Sequence, residues 1–126
     1  MLVCDDEPVL RILVRATLDR GNYTVVEARD GHEALALARS EQPDLILLDV
    51  VMPGRTGRDV LAALRGDPTT ATTPVIVLTA RGQATDQQAM LRAGADGYLT
   101  KPFSPFALAT LVGELLRGTI ARPRAA

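Results

Sequence analysis

The chain has 126 residues, with 14 Lys and Arg against 15 Asp and Glu and a formal net charge of −1. That length suits one domain able to bury a core without staples, and the balanced charge excludes the basic footprint of a nucleic-acid binder. One cysteine excludes an internal disulfide, and 3% aromatic residues with no Trp exclude a base-stacking platform.

In chain order, the apolar run Met1–Cys4 predicts a first strand with Cys4 as a small buried hydrophobe, closed by Asp5, Asp6 and Glu7. The chain thus begins almost inside its first strand, as a trimmed chain would. Pro8 opens a helix, where its missing N–H is no loss. Leu10, Leu13, Val14, Thr17 and Leu18 follow at helical spacing up to Gly21, expected as the C-terminal cap. Tyr23–Ala28 predicts the second strand. Asp30 and Glu33 have capping-box spacing before a second helix to about Glu41, with Ala34, Leu35 and Ala38 inward and His32 on the surface. Past Pro43, Leu45–Leu48 is a continuous apolar run suited to a strand covered on both faces. It ends in Asp49 and a loop rich in Pro and Gly.

Asp59–Gly66 predicts a third helix, and Asp67–Thr73 a polar connection. Val75–Leu78 is another uninterrupted apolar run, closed by Thr79 and Ala80. Thr85 and Gln88 have capping-box spacing at the start of a fourth helix that Gly94 ends. Gly97–Thr100 predicts a fifth strand, followed by Lys101-Pro102-Phe103. Ser104 then caps a last helix with Pro105 first, and Leu108, Leu111, Val112, Leu115 and Leu116 form its apolar stripe. No stretch is long and apolar enough for a membrane span and no leader opens the chain, so a cytoplasmic location is expected.

Strands and helices in strict alternation predict a single α/β domain: a doubly wound parallel (βα)5 sheet with helices on both faces. In strand order 2-1-3-4-5 the first and third strands are neighbours roughly 5 Å apart, and ligands gather at the carboxyl ends where the winding reverses. Asp5 and Asp6, Asp49, Thr79 and Lys101 all stand at that end. Three carboxylates so close would repel one another, and a hard divalent cation such as Mg²⁺ relieves the repulsion. Lys101, the only lysine among 14 basic residues, supplies a compact charge on a slim stem. Cation, ammonium and the Thr79 hydroxyl around one carboxylate make a cradle for a phosphoryl group, with Asp49 as nucleophile.

The segments CDDEP, LILLDVVMPGRTG, VIVLTA and GADGYLTKPF, in this order and spacing, closely resemble the receiver domain of bacterial two-component response regulators. The resemblance covers essentially the whole chain and implies a flavodoxin-like receiver over 1–119, with 120–126 as a tail or the start of a linker. It implies that Asp49 accepts a phosphoryl group from a sensor histidine kinase or phosphotransfer protein, and that the chain catalyses its own modification rather than turning over a metabolite. It further implies Mg²⁺ held by Asp6, Asp49 and the backbone carbonyl of Val51, with Asp5 acting through water. Thr79 and Lys101 would contact the phosphoryl group, and Tyr98 would turn inward as Thr79 moves. The face of the fourth helix, fifth strand and last helix would then signal to an effector protein or output domain, without direct contact to nucleic acid or membrane. Lys101-Pro102 matches the family's cis bond, and Val51 and Arg81 occupy positions that tune phosphoryl lifetime. Leu111 and Gly113 stand where members that dimerise through that face carry basic residues.

Other readings of the same residues are blander. Asp5 and Asp6 near a helix start would favour its dipole by at most about 1 kcal/mol, Thr79 would be an ordinary strand-end residue, and Tyr98 a half-buried aromatic. The alternative chemistry is an aspartyl-nucleophile phosphatase-like hydrolase, but Val51 stands where such an enzyme needs a second Asp as acid and base. A nucleotide- or flavin-binding module would need a Gly-rich or hydroxyl-rich first loop, and Asp5-Asp6-Glu7 would repel its phosphate.

Overall fold

In the computed structural model, residues 1–20, 23–50, 56–80 and 84–117 are described. Five strands alternate with five helices: β1 (Leu2–Cys4), α1 (Pro8–Asp19), β2 (Val26–Ala28), α2 (Gly31–Glu41), β3 (Ile46–Asp49), α3 (Gly57–Gly66), β4 (Val75–Ala80), α4 (Ala84–Arg92), β5 (Gly97–Lys101) and α5 (Pro105–Arg117). All pairings are parallel, as the alternation predicts, and the order is β2-β1-β3-β4-β5, the one that the family resemblance implies.

Strand side chains alternate between faces, and the core divides accordingly. Leu2, Cys4, Ile46, Leu48, Val75 and Val77 join Ala34, Leu35 and Ala38 of α2, Val60, Leu61 and Leu64 of α3, and Met90 of α4. Val3, Leu47 and Ile76 point the other way, against Val14 and Leu18 of α1 and Leu108, Val112 and Leu115 of α5. A strand buried on both sides has no polar face to alternate, which is why the central strands read as unbroken apolar runs.

Local chemistry sets most helix boundaries. Asp30 accepts from the Glu33 N–H at 2.8 Å, and Glu33 accepts in return from the Arg29 N–H at 2.8 Å. Ser104 caps α5 by accepting from the Ala107 N–H at 3.0 Å. Gly94, just past α4, has φ +115°, a conformation that favours glycine.

Several boundaries depart from the sequence-based expectation. The second strand begins at Val26 rather than Tyr23, because its partner is only three residues long and Leu2 lies opposite Val26. Tyr23 instead packs on the α1–α5 side of the core. The third helix starts at Gly57, since Thr56 accepts from the Asp59 N–H at 3.2 Å and acts as its cap. Thr85 lies inside α4 and so is not its cap. Leu116, expected in the inward stripe of α5, is exposed. The third strand runs on to Asp49, the fourth to Ala80 and the fifth to Lys101, because ladder pairing continues past the apolar runs. The expectations placed on Gly21, Val51, Arg81 and the tail 120–126 lie outside the described residues.

At the amino ends of the strands, Arg65 ties two connections together, α3–β4 and α4–β5. Its guanidinium donates to the carbonyls of Thr70, Ala71 and Thr73 at 3.2, 3.2 and 2.8 Å and to that of Gly94 at 2.9 and 3.1 Å. It also pairs with buried Asp96 at 3.1 Å, and the same Asp96 oxygen accepts from the Val75 N–H at 2.9 Å. The fork geometry of arginine makes this possible, since a lysine could not address so many acceptors from one stem.

Candidate functional site

Cys4 lies opposite Leu48 in the β1–β3 ladder, so the next residues, Asp5 and Asp49, emerge side by side at the carboxyl ends. Asp5 is buried, its Oδ1 accepting from the Glu7 N–H at 2.9 Å, while Asp6 is exposed. Ligand oxygens of Asp5, Asp6 and Asp49 lie within 4.8 Å of one another, a grouping that can hold a metal ion. The donors are hard oxygens only, which suits a hard divalent cation.

Lys101, the last residue of β5, reaches across two strands to this group. Its Nζ is 2.8 Å from Asp5 Oδ2, 3.3 Å from Asp49 Oδ2 and 3.3 Å from Glu7 Oε1. Burial works against the ammonium, but the hydrogen bond to Asp5 and the charges of Asp49 and Asp5 outweigh it and hold Lys101 above its ordinary value of 10.5. The lysine is therefore a fixed positive charge at any physiological pH. Its bond to Pro102 is cis.

Thr79 follows Leu78, the ladder partner of Asp49, and is buried at the same sheet end. Tyr98 lies in β5 opposite Val77 and is 42% exposed, so its ring stands outward. The structure thus brings Asp5, Asp6, Asp49 and Lys101 together, places Thr79 beside them in the ladder, and leaves Tyr98 on the surface.

Three contributors escaped sequence reasoning. In the sequence Glu7 is no more than part of an acidic turn, yet its side chain meets Lys101. Arg11 donates to the carbonyl of Asp5 at 2.7 Å and to Glu27 Oε1 at 3.0 Å, fastening the acidic turn to α1 and β2. A helical arginine gives no such signal, because the same residue usually faces water. Gly57 donates its N–H to the carbonyl of Val50 at 2.8 Å, tying the start of α3 to the residue that follows Asp49.

An acidic group with a lysine bonded across it stands at the switch point of this doubly wound sheet, the crevice where such folds bind their ligands. A family model described as the response regulator receiver domain matches residues 1–113. The DNA-binding dual master transcriptional regulator RpaA of Synechocystis sp. is 44% identical over 126 residues, all of this chain and 52% of that protein. Protein PilH of Pseudomonas aeruginosa is 37% identical over 118 residues, 94% of this chain and 98% of its own length. The chemotaxis response regulator CheY4 of Vibrio cholerae superimposes with a TM-score of 0.85 at 36% identity, covering 90% of this chain and 95% of that one. The chain belongs to the response regulator receiver domain family of two-component systems. It spans about half the length of the first curated relatives it matches, 52% of one and 48% of the next. The hydrolase alternative gains no support from these relatives.

Proposed function

We propose that Asp49 is the residue that accepts the phosphoryl group, and that the chain catalyses this transfer itself. The observation that carries the proposal is Lys101 Nζ at 3.3 Å from Asp49 Oδ2, within a group whose acidic oxygens converge to 4.8 Å. In the step itself, a carboxylate oxygen of Asp49 attacks phosphorus. An O–P bond forms as the P–N bond of a donor phosphohistidine breaks, and the imidazole leaves with the electron pair of that bond. Lys101 stands ready to neutralise the phosphoryl oxygens, and the Thr79 hydroxyl to donate to one of them.

Both carboxylate oxygens of Asp5 are already engaged, one by the Glu7 N–H and one by Lys101. Asp6 and Asp49 would then hold Mg²⁺ directly and Asp5 through water, and the family resemblance adds the carbonyl of Val51, a residue outside the described ones. When bound, Mg²⁺ would supply charge that lets the carboxylates stand together and draws the phosphoryl oxygens in.

The outward Tyr98 beside β4 supports a switch in which it moves inward with Thr79 and alters the face of α4, β5 and α5. The donor is a sensor histidine kinase or a phosphotransfer protein in the cytoplasm, and the reader of that face is an effector or output domain. The experiment is phosphoryl labelling with acetyl phosphate and Mg²⁺. One hydroxylamine-labile group per chain is expected, and none in Asp49→Asn. Labelling that persists in that variant would place the acceptor elsewhere.

A further inference from the structure

Glu7 occupies the N-cap position of α1, where a side-chain oxygen ordinarily accepts from one of the first unpaired N–H groups of a helix. Its carboxylate makes no such bond. It is directed instead to Lys101, with Oε1 3.3 Å from Nζ, on the solvent side of the site. Glu7 is 63% exposed there, whereas the Asp5 side chain that shares the same ammonium is fully buried. The Glu7 backbone is held by the site as well, its N–H donating to Asp5 Oδ1 at 2.9 Å and its carbonyl accepting from the Arg11 N–H at 3.2 Å.

An ammonium has three N–H donors, and Asp5, Asp49 and Glu7 lie around it at 2.8, 3.3 and 3.3 Å. A phosphoryl oxygen entering at Asp49 gains a donor from Lys101 only when one of these contacts gives way. Asp5 is buried and Asp49 is the reacting group, which leaves Glu7 as the contact to be broken. We infer that Glu7 is a positioning residue that holds Lys101 in its resting place and restrains phosphoryl entry until the incoming group takes the ammonium over. This rests on Asp49 being the acceptor. The exposed carboxylate also opposes the approach of an anionic donor, so both effects act in the same direction.

Exposed ion pairs of this kind correspond to a rate effect of up to about five-fold, diminished by salt. Because Lys101 is the only lysine, ¹³Cε-lysine labelling gives a single side-chain signal in the whole chain. Glu7→Gln is expected to shift that signal with no donor present, and to raise the rate of labelling by acetyl phosphate at saturating Mg²⁺ about two- to five-fold at low salt, with the gain vanishing near 1 M NaCl. Glu7→Ser, which supplies the missing cap, is expected to give the same acceleration with a higher thermal midpoint, separating the site effect from any loosening of α1. An unmoved lysine signal, or a rate in Glu7→Gln equal to or below that of the unmodified chain, overturns the inference. If the unmodified chain takes no label at all, the restraint fails together with the Asp49 reading, and the lysine signal distinguishes that outcome from an absent Glu7 contact.

Discussion

A Cβ built on Gly57 would collide with the carbonyl oxygen of Asp49 and come within 2.7 Å of the Val50 Cα. Both obstacles are backbone, so neither can rotate away. Gly57→Ala is expected to cost roughly 1–3 kcal/mol, the ordinary range for overpacking, and to lower phosphoryl acceptance as well, because the displaced atoms carry the acceptor. Thermal melting and labelling of the same variant check both effects, and a variant with normal stability and labelling would show the loop to be more yielding than its geometry. At this scale the acidic residues and Lys101 were legible because each interrupts or follows an apolar run, and a charge where a buried strand surfaces is conspicuous. Gly57 was legible only as loop composition, since close approach of two backbone segments leaves no mark on residue type.

Strand β2 is an edge of the sheet, with β1 as its only neighbour in the ladder. A pair of arginines on α1 adds a second attachment: Arg11 Nε and an Arg15 guanidinium nitrogen lie 3.0 and 2.8 Å from the two oxygens of Glu27. Burial works against the Glu27 charge, but hydrogen bonds from Arg15 and Arg11 outweigh it and hold the carboxyl below its ordinary value of 4.5. The unfolded chain therefore binds this proton more readily than the folded one. The stabilisation is complete above about pH 4.5 and is lost as pH falls through the lower folded value. Glu27→Gln is expected to lower the thermal midpoint at pH 7, with the difference from the unmodified chain closing as the pH falls below 4.5 and through the lower folded value. A difference that stays constant with pH would remove the ionic account. The existence and type of every element were legible from apolar periodicity and punctuation, but ends were not. Thr85 and Thr56 are both plausible caps by composition, yet Thr56 caps α3 while Thr85 lies inside α4, and residue type alone does not separate a cap from a first-turn residue.

Across the whole molecule, strict alternation of strand and helix was enough to make the sheet parallel, because a parallel pair needs a crossover and crossovers have one hand, while the strand order 2-1-3-4-5 came with the family resemblance. The convergence of Asp5, Asp49 and Lys101 followed from that order, although they are far apart in the chain. Among the described residues, Asp5, Glu7 and Asp49 surround the Lys101 ammonium, and Asp6 adds a further carboxylate to the group. A cation that binds this group in the folded chain and not in the unfolded one raises stability by mass action, so millimolar Mg²⁺ is expected to raise the thermal midpoint, and less so in Asp49→Asn. An unchanged midpoint would count against the metal site.

The fastening built around Arg65 was invisible in the sequence, since an arginine near the end of a helix has an obvious partner in the helix dipole. It lies at the other pole of the sheet from Asp49, and there each guanidinium nitrogen has an acceptor supplied by the chain itself. The two poles consequently differ in how finished they are. One has its cation fully engaged by the chain's own acceptors; the other gathers more carboxylates than cations and has charge left over for a visitor. A molecule anchored at one end in this way can register an arriving ion or group at its open end without risking its architecture.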